Sequence, residues 1–90
     1  MKMLEISKPN RQVERVTIGS TLRIQAPRPF QLHWTTDEWR TVYDTDATRT
    51  ALGVQFVDVA IERDQRAPVR FTFLWKGPGE WEGRDYSVEV

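Results

Sequence analysis

An all-β fold, an immunoglobulin-like antiparallel β-sandwich of about seven strands, is predicted by three observations on this sequence. Apolar and polar residues alternate with a period of two over several short segments, which is typical of half-buried strands. Glycine, proline and short polar clusters separate these segments. No segment shows a sustained helical period, and a series of short strands of this kind fits a sandwich of two antiparallel sheets.

The first half of the chain predicts a strand followed by a hairpin. Residues 21–26 alternate between apolar and polar types and end at Pro27. Residues 30–34 continue the alternation, the four polar residues 35–38 are typical of a turn, and residues 39–43 are expected to form the return strand. The polar stretch from Asp44 to Thr50 predicts a further turn.

The second half predicts one more strand and a second hairpin. Residues 54–61 are rich in valine and are expected to be buried on both sides over part of their length, and a charged loop follows at 62–68. Residues 69–75 alternate strictly, the segment Gly77-Pro78-Gly79 breaks the chain, and residues 86–90 alternate again.

Length and composition indicate one domain spanning residues 1–90, in which residues 1–12 are either a poorly ordered lead-in or an edge strand. With 39% hydrophobic and 11% aromatic residues, the chain is too apolar for intrinsic disorder. Thirteen basic residues balance thirteen acidic ones without forming blocks, so neither nucleic acid nor a membrane is expected as a partner. We expect a monomer, and the sequence leaves its localisation open.

The sequence lacks the parts of several catalytic and metal-binding sites. It has no cysteine and one histidine, His33, and it contains neither a Gly-x-Ser-x-Gly motif nor a phosphate-binding glycine loop. Asp44 and Asp46 have the spacing of calcium-loop ligands, but the third ligand, the glycine and the closing glutamate are absent. We therefore expect no catalytic residues, no metal site and no cofactor in this chain.

Four tryptophans in ninety residues stand out among the residues that could bind a ligand. Trp34 and Trp75 share a strand face with phenylalanine and leucine side chains, which predicts that both belong to the core. Trp39 and Trp81 have polar neighbours, and for this pair an exposed aromatic platform and a core anchor stay equally open.

A sugar site needs polar groups beside an aromatic plane, because the C–H face of a pyranose stacks on the ring while its hydroxyls accept and donate hydrogen bonds. His33, Glu82, Arg84 and Asp85 are candidates for these polar groups. For His33 the alternative is an exposed strand residue, and for the other three it is a solvated loop with weak local ion pairs.

Three segments carry a resemblance to a known family: residues 10–13, residues 21–34 and the motif Trp81-Glu82-Gly83-Arg84-Asp85-Tyr86. Over nearly the whole chain, the sequence resembles the C-terminal domain of bacterial glucoamylases (glucan 1,4-alpha-glucosidases). In those enzymes the catalytic residues lie in a separate helical barrel domain. The resemblance therefore implies a non-catalytic accessory module, or a fragment, of a glycoside hydrolase of carbohydrate metabolism.

The same pattern is similar to that of starch-binding carbohydrate modules, in which a histidine and two tryptophans at matching places contact α-glucan. This likeness implies a site at His33, Trp39 and Trp81. The chain departs from the pattern at Glu82-Gly83-Arg84, where such modules usually have an aspartate followed by asparagines that bind sugar hydroxyls.

Three functions follow as hypotheses. The leading one is weak binding of starch or dextrin chains by aromatic stacking, next to the catalytic domain of a parent enzyme. The alternative is a structural domain that packs on that catalytic domain without binding sugar. The third is a protein-interaction domain that offers an edge strand to a peptide.

Overall fold

A computed structural model describes residues 4–8, 12–77, 80–81 and 85–90, with the backbone alone for residues 80 and 81. All regular structure in these residues is β-strand. The strands are β1 (Leu4–Ser7), β2 (Thr21–Ala26), β3 (Phe30–Thr35), β4 (Tyr43–Asp46), β5 (Thr48–Arg49), β6 (Gln55–Ala60), β7 (Val69–Trp75), β8 (Glu80–Trp81) and β9 (Tyr86–Val88). These nine described strands exceed the predicted seven by two, and the difference corresponds to the two-residue strands β5 and β8.

The strands form two sheets. One has the order β1-β2-β6-β5, and the other has the order β4-β3-β7-β8, with β9 also paired to β7. All strand pairs are antiparallel except β1 with β2, so Leu4–Ser7 form a parallel strand at one edge. The all-β sandwich is thus confirmed, whereas its immunoglobulin-like type stays a prediction.

The core lies between the two sheets and follows from the alternation within the strands. In β2 the even-numbered residues are buried, and in β3 Phe30 and Leu32 are buried. In β6 the buried apolar residues are Val57 and Val59. The core residues are Val16, Leu22, Ile24, Ala26, Phe30, Leu32, Val57, Val59, Ile61, Val69, Phe71, Phe73, Tyr86 and Val88.

Trp34 and Trp75 pack against this core but are only partly buried. Trp34 stacks on Tyr43 with ring centroids 4.6 Å apart, and its indole N–H donates to Thr45 Oγ1 at 3.0 Å. Trp75 stacks on Phe73, and the guanidinium of Arg28 lies 4.7 Å from a centroid of its ring system. Both tryptophans therefore form the rim of the core.

The polar stretch from Asp44 to Thr50 was wrongly predicted to be a turn. Its residues form most of β4 and all of β5, and the chain passes from one sheet to the other at Ala47, whose N–H donates to the carbonyl of Phe30 at 3.0 Å. The stretch is polar because both strands lie at sheet edges and are largely exposed. Gly53, with a φ of 84°, then allows the turn into β6.

The hairpin of β3 and β4 exists, but its return strand begins at Tyr43 instead of Trp39. Residues 36–42 form a loop instead. Among the described residues, no helix has the length and apolar character needed to span a membrane.

Candidate functional site

The outer face of the five-stranded sheet carries His33 near its centre. His33 lies in β3, where its backbone pairs with Asp44 of β4 on one side and with Thr72 of β7 on the other. In the adjacent row, Gln31 pairs with Asp46 and with Leu74. These residues alternate with the core-facing positions of the same strands, so they point to the side of the sheet away from the core.

The loop of residues 36–42 folds back over this outer face. Thr35 occupies an outward position at the end of β3, yet it is 0% exposed because the loop covers it. Its Oγ1 accepts the backbone N–H groups of Asp37 and Trp39, each at 3.2 Å. The same hydroxyl lies 2.7 Å from the carbonyl oxygen of Thr41 and 2.8 Å from Asp37 Oδ1, either of which can accept its proton. Thr35 is therefore the centre around which the loop closes.

Two consecutive residues of the loop, Glu38 and Trp39, have left-handed backbone conformations, with φ values of 58° and 68°. This region is unfavourable for residues with a Cβ, and bulky side chains are rarely found there. Each such residue costs on the order of 1 to 3 kcal/mol and persists only where its surroundings hold it. Strained residues of this kind cluster at ligand-binding sites, which makes the loop a candidate site.

In this left-handed conformation, the ring of Trp39 lies on the ring of His33. The two rings are stacked, with centroids 5.5 Å apart and planes inclined by 23°. His33 Nδ1 in turn lies 2.7 Å from Asp44 Oδ1, and both side chains are partly exposed. We call this pair of rings the Trp39–His33 stack. Trp39 as a whole residue is half-buried, so it keeps some access to solvent.

A second contact holds the loop to the sheet. Arg70 of β7 pairs with Thr35 across the sheet, and its Nε lies 3.2 and 3.3 Å from the two carboxylate oxygens of Glu38. Both side chains are partly exposed, at 37% for Arg70 and 51% for Glu38. The loop is thus attached to both central strands of the sheet, β3 and β7.

Hydrogen bonds also affect the ionisation of carboxyl groups here. The backbone N–H of Thr41 donates to Asp37 Oδ1 at 2.8 Å, and this bond, together with one from Thr35, lowers the pKa of Asp37 below its ordinary value of 3.8. On the same face, Lys76 lies 2.8 Å from Asp46, and this pairing lowers the pKa of Asp46. Both carboxyl groups are therefore ionised at neutral pH and serve as acceptors.

The structure brings together two of the residues proposed from the sequence, His33 and Trp39. The backbone of Trp81 pairs with that of Leu74, in the row that also contains Gln31. Two strand spacings separate Trp81 from Gln31, so their backbones lie roughly 10 Å apart on the same sheet. The side chain of Trp81 lies outside the described part of the structure.

The remaining candidates lie in the segment between β8 and β9. Glu82 and Arg84 fall outside the described residues. Asp85 is exposed and directly precedes β9. The predicted grouping of these three side chains with the tryptophans therefore stays a prediction.

Sequence reasoning missed three residues that organise the site: Thr35, Asp44 and Arg70. Thr35 and Arg70 have no local signal of their own, since their roles arise from pairing between strands 35 positions apart. For Asp44 the sequence does contain a local indication, because an apolar Tyr43 followed by a polar Asp44 is compatible with an edge strand. The polar residues that follow it nevertheless favour a turn in the sequence.

Among the described residues, no three His, Asp or Glu side chains are grouped as a metal ion would require. Comparisons of this chain with protein-family models, with curated proteins and with solved structures found no significant match. These comparisons therefore assign no family, and the arrangement around Trp39 is the basis for the functional proposal.

Proposed function

We propose that this chain is a non-catalytic accessory module of an α-glucan hydrolase of the glucan 1,4-alpha-glucosidase type, and that it binds starch or dextrin chains weakly. The observation that carries the proposal is the Trp39–His33 stack, a partly exposed aromatic platform in a strained loop. The sequence resemblance to glucoamylase C-terminal domains supplies the class of sugar.

The surroundings of the stack suit a carbohydrate. An indole plane offers a stacking surface to the C–H face of a pyranose, and polar groups beside it accept or donate hydrogen bonds to the hydroxyls. Asp44 and Gln31 supply such groups on the outer face of the sheet. In this proposal His33 acts mainly as a support for Trp39, because its ring lies against the indole and its Nδ1 is directed at Asp44.

An open surface of this kind binds weakly, since a few stacking contacts must offset the loss of ligand freedom. We expect millimolar to micromolar dissociation constants, about 4 to 8 kcal/mol of binding free energy. Tethering to the catalytic domain of a parent enzyme would raise the effective concentration of glucan at that enzyme.

The test is an NMR titration of the domain with maltoheptaose and, separately, with cellohexaose, following the indole N–H signals of the four tryptophans. Saturable shifts at Trp39 with maltoheptaose alone are the expected result, and Trp39→Ala should abolish the binding. Tyr43→Ala is the matched control, because Tyr43 is a 44% exposed aromatic residue stacked on Trp34, away from the platform. An absence of shifts at several millimolar sugar would overturn the proposal.

A second candidate function is packing on the catalytic domain without sugar binding, and a different surface favours it. Leu4 and Ile6 of β1 are 47% and 42% exposed on the outer face of the four-stranded sheet. Exposed apolar side chains that share a face are typical of interaction surfaces. Sedimentation velocity tests this candidate: self-association that Ile6→Ser removes would favour packing, and a monomer without glucan binding would count against both functions.

A further inference from the structure

Trp39 owes its position to contacts made by its neighbours as well as by its own ring. The stack on His33 involves the ring of Trp39 only, so it does not account for the left-handed backbone of the residue that precedes Trp39. The preceding residue, Glu38, is also left-handed, and its carboxylate faces the Nε of Arg70. The ion pair therefore holds the residue whose conformation directs the chain into Trp39.

We propose that the Glu38–Arg70 ion pair is a latch that positions Trp39, so that Arg70 sets the glucan affinity of the platform without contacting the sugar. The affinity part of this inference rests on the proposed function. The geometric part, in which Arg70 determines how Trp39 lies on His33, stands independently of any ligand. In this sense Glu38 and Arg70 are positioning residues.

The latch acts through the population of the binding-competent loop. Two adjacent left-handed residues are strained, and removing one of their attachments lets the loop relax into other conformations. The apparent dissociation constant then rises by the inverse of the fraction that keeps the stacked geometry. For an exposed ion pair, we expect removal of the pair to weaken glucan affinity about two- to fivefold. Because added salt screens the pair in the native protein, the difference in affinity between the native protein and the variant should become smaller as salt is added.

His33 gives a direct reading of the stack, because it is the only histidine in the chain. Its two imidazole C–H signals are therefore unambiguous, and a stacked indole shifts them through its ring current. We expect Arg70→Gln and Glu38→Gln each to move these signals toward the positions found in Trp39→Ala. The exchange of charges in Glu38→Arg with Arg70→Glu should restore them at least in part.

Arg23→Gln is the matched control. It removes an ion pair of similar exposure between Arg23 and Asp58, whose Nε and Oδ1 atoms are 2.8 Å apart. Both residues lie on the four-stranded sheet, away from the loop. This variant should leave the His33 signals and glucan affinity unchanged. Thermal melts of all variants show whether each remains folded, and Arg70→Met, which removes the charge but keeps a long aliphatic side chain, replaces Arg70→Gln if that variant is unfolded.

The outcomes separate the latch from the proposed function. Moved His33 signals with two- to fivefold weaker maltoheptaose binding support the latch. Unmoved His33 signals in folded Arg70→Gln overturn it, even where maltoheptaose binds the native chain. If the native chain binds no maltoheptaose, the proposed function fails, and the His33 signals alone then decide whether Arg70 positions Trp39.

Discussion

Replacing Thr35 with valine tests whether one buried hydroxyl closes the loop of residues 36–42. Valine has nearly the same shape and volume as threonine, so the substitution removes the Oγ1 atom without leaving a cavity. The backbone N–H groups of Asp37 and Trp39 then lose their acceptor, and the Thr41 carbonyl or Asp37 Oδ1, whichever accepts the hydroxyl proton, loses a donor. The perturbation is thus confined to hydrogen bonds of the loop.

The magnitude follows from these bonds. Each contributes about 0.5 to 1.5 kcal/mol net, and an N–H group left buried without a partner costs more. Relaxation of the left-handed residues Glu38 and Trp39 returns part of this loss, because their strain of about 1 to 3 kcal/mol each need no longer be held. We therefore expect Thr35→Val to lower the free energy of unfolding by about 1 to 3 kcal/mol.

Urea unfolding followed by circular dichroism measures this loss, and the His33 imidazole signals report whether the loop has left the sheet. Thr48→Val is the control, since Thr48 is exposed in β5 and its replacement should change stability by less than about 0.5 kcal/mol. A Thr35→Val protein with native stability and unmoved His33 signals would refute the reasoning.

Three further predictions concern the rest of the domain. Phe73→Ala should lower the free energy of unfolding by about 3 to 5 kcal/mol in urea titrations, because Phe73 is 0% exposed at the centre of an aromatic cluster, and a loss below about 1 kcal/mol would contradict that placement. Arg23→Gln should cost less than about 1 kcal/mol by the same measurement, since its ion pair with Asp58 is partly exposed. The bond from Thr41 lowers the folded-state pKa of Asp37 below 3.8. The stability that ionised Asp37 contributes is therefore fully present above the unfolded-state pKa of about 3.8 and is lost as the pH falls through the lower folded-state pKa. Thermal melts between about pH 5 and pH 2 should therefore show a smaller acid-induced decline for Asp37→Asn than for the native chain, and equal declines would count against the assignment.

The strands that alternate between apolar and polar residues were predictable from the sequence, and the edge strands were not. In β2 and β7 the alternation records which side of the strand faces the core, so the local pattern is sufficient. In β4 and β5 neither side is fully buried, and the pairing that makes them strands comes from distant residues. A polar strand and a polar turn therefore look alike in the sequence.

The same division applies to the candidate site. The aromatic and imidazole side chains of Trp39 and His33 could be singled out by residue type and by resemblance, although Trp39 was expected in a strand and lies in a loop. The residues that hold the loop, Thr35 and Arg70, are common types without a local pattern. Their roles depend on the register between β3 and β7, which residue type and alternation leave undetermined.

The position of the strained loop on the sheet has an energetic reason. A domain of this size is stable by about 5 to 15 kcal/mol in total, so two left-handed residues at about 1 to 3 kcal/mol each are a substantial fraction of that amount. Such strain persists only where the support is more rigid than the loop. Thr35 and His33 lie in β3 and Arg70 lies in β7, which are the two central strands of their sheet and which carry the buried Phe30, Leu32, Phe71 and Phe73 on their opposite face. The core therefore stabilises the strands on which the loop rests, and Trp39 gains a fixed orientation that a loop at a sheet edge would not provide.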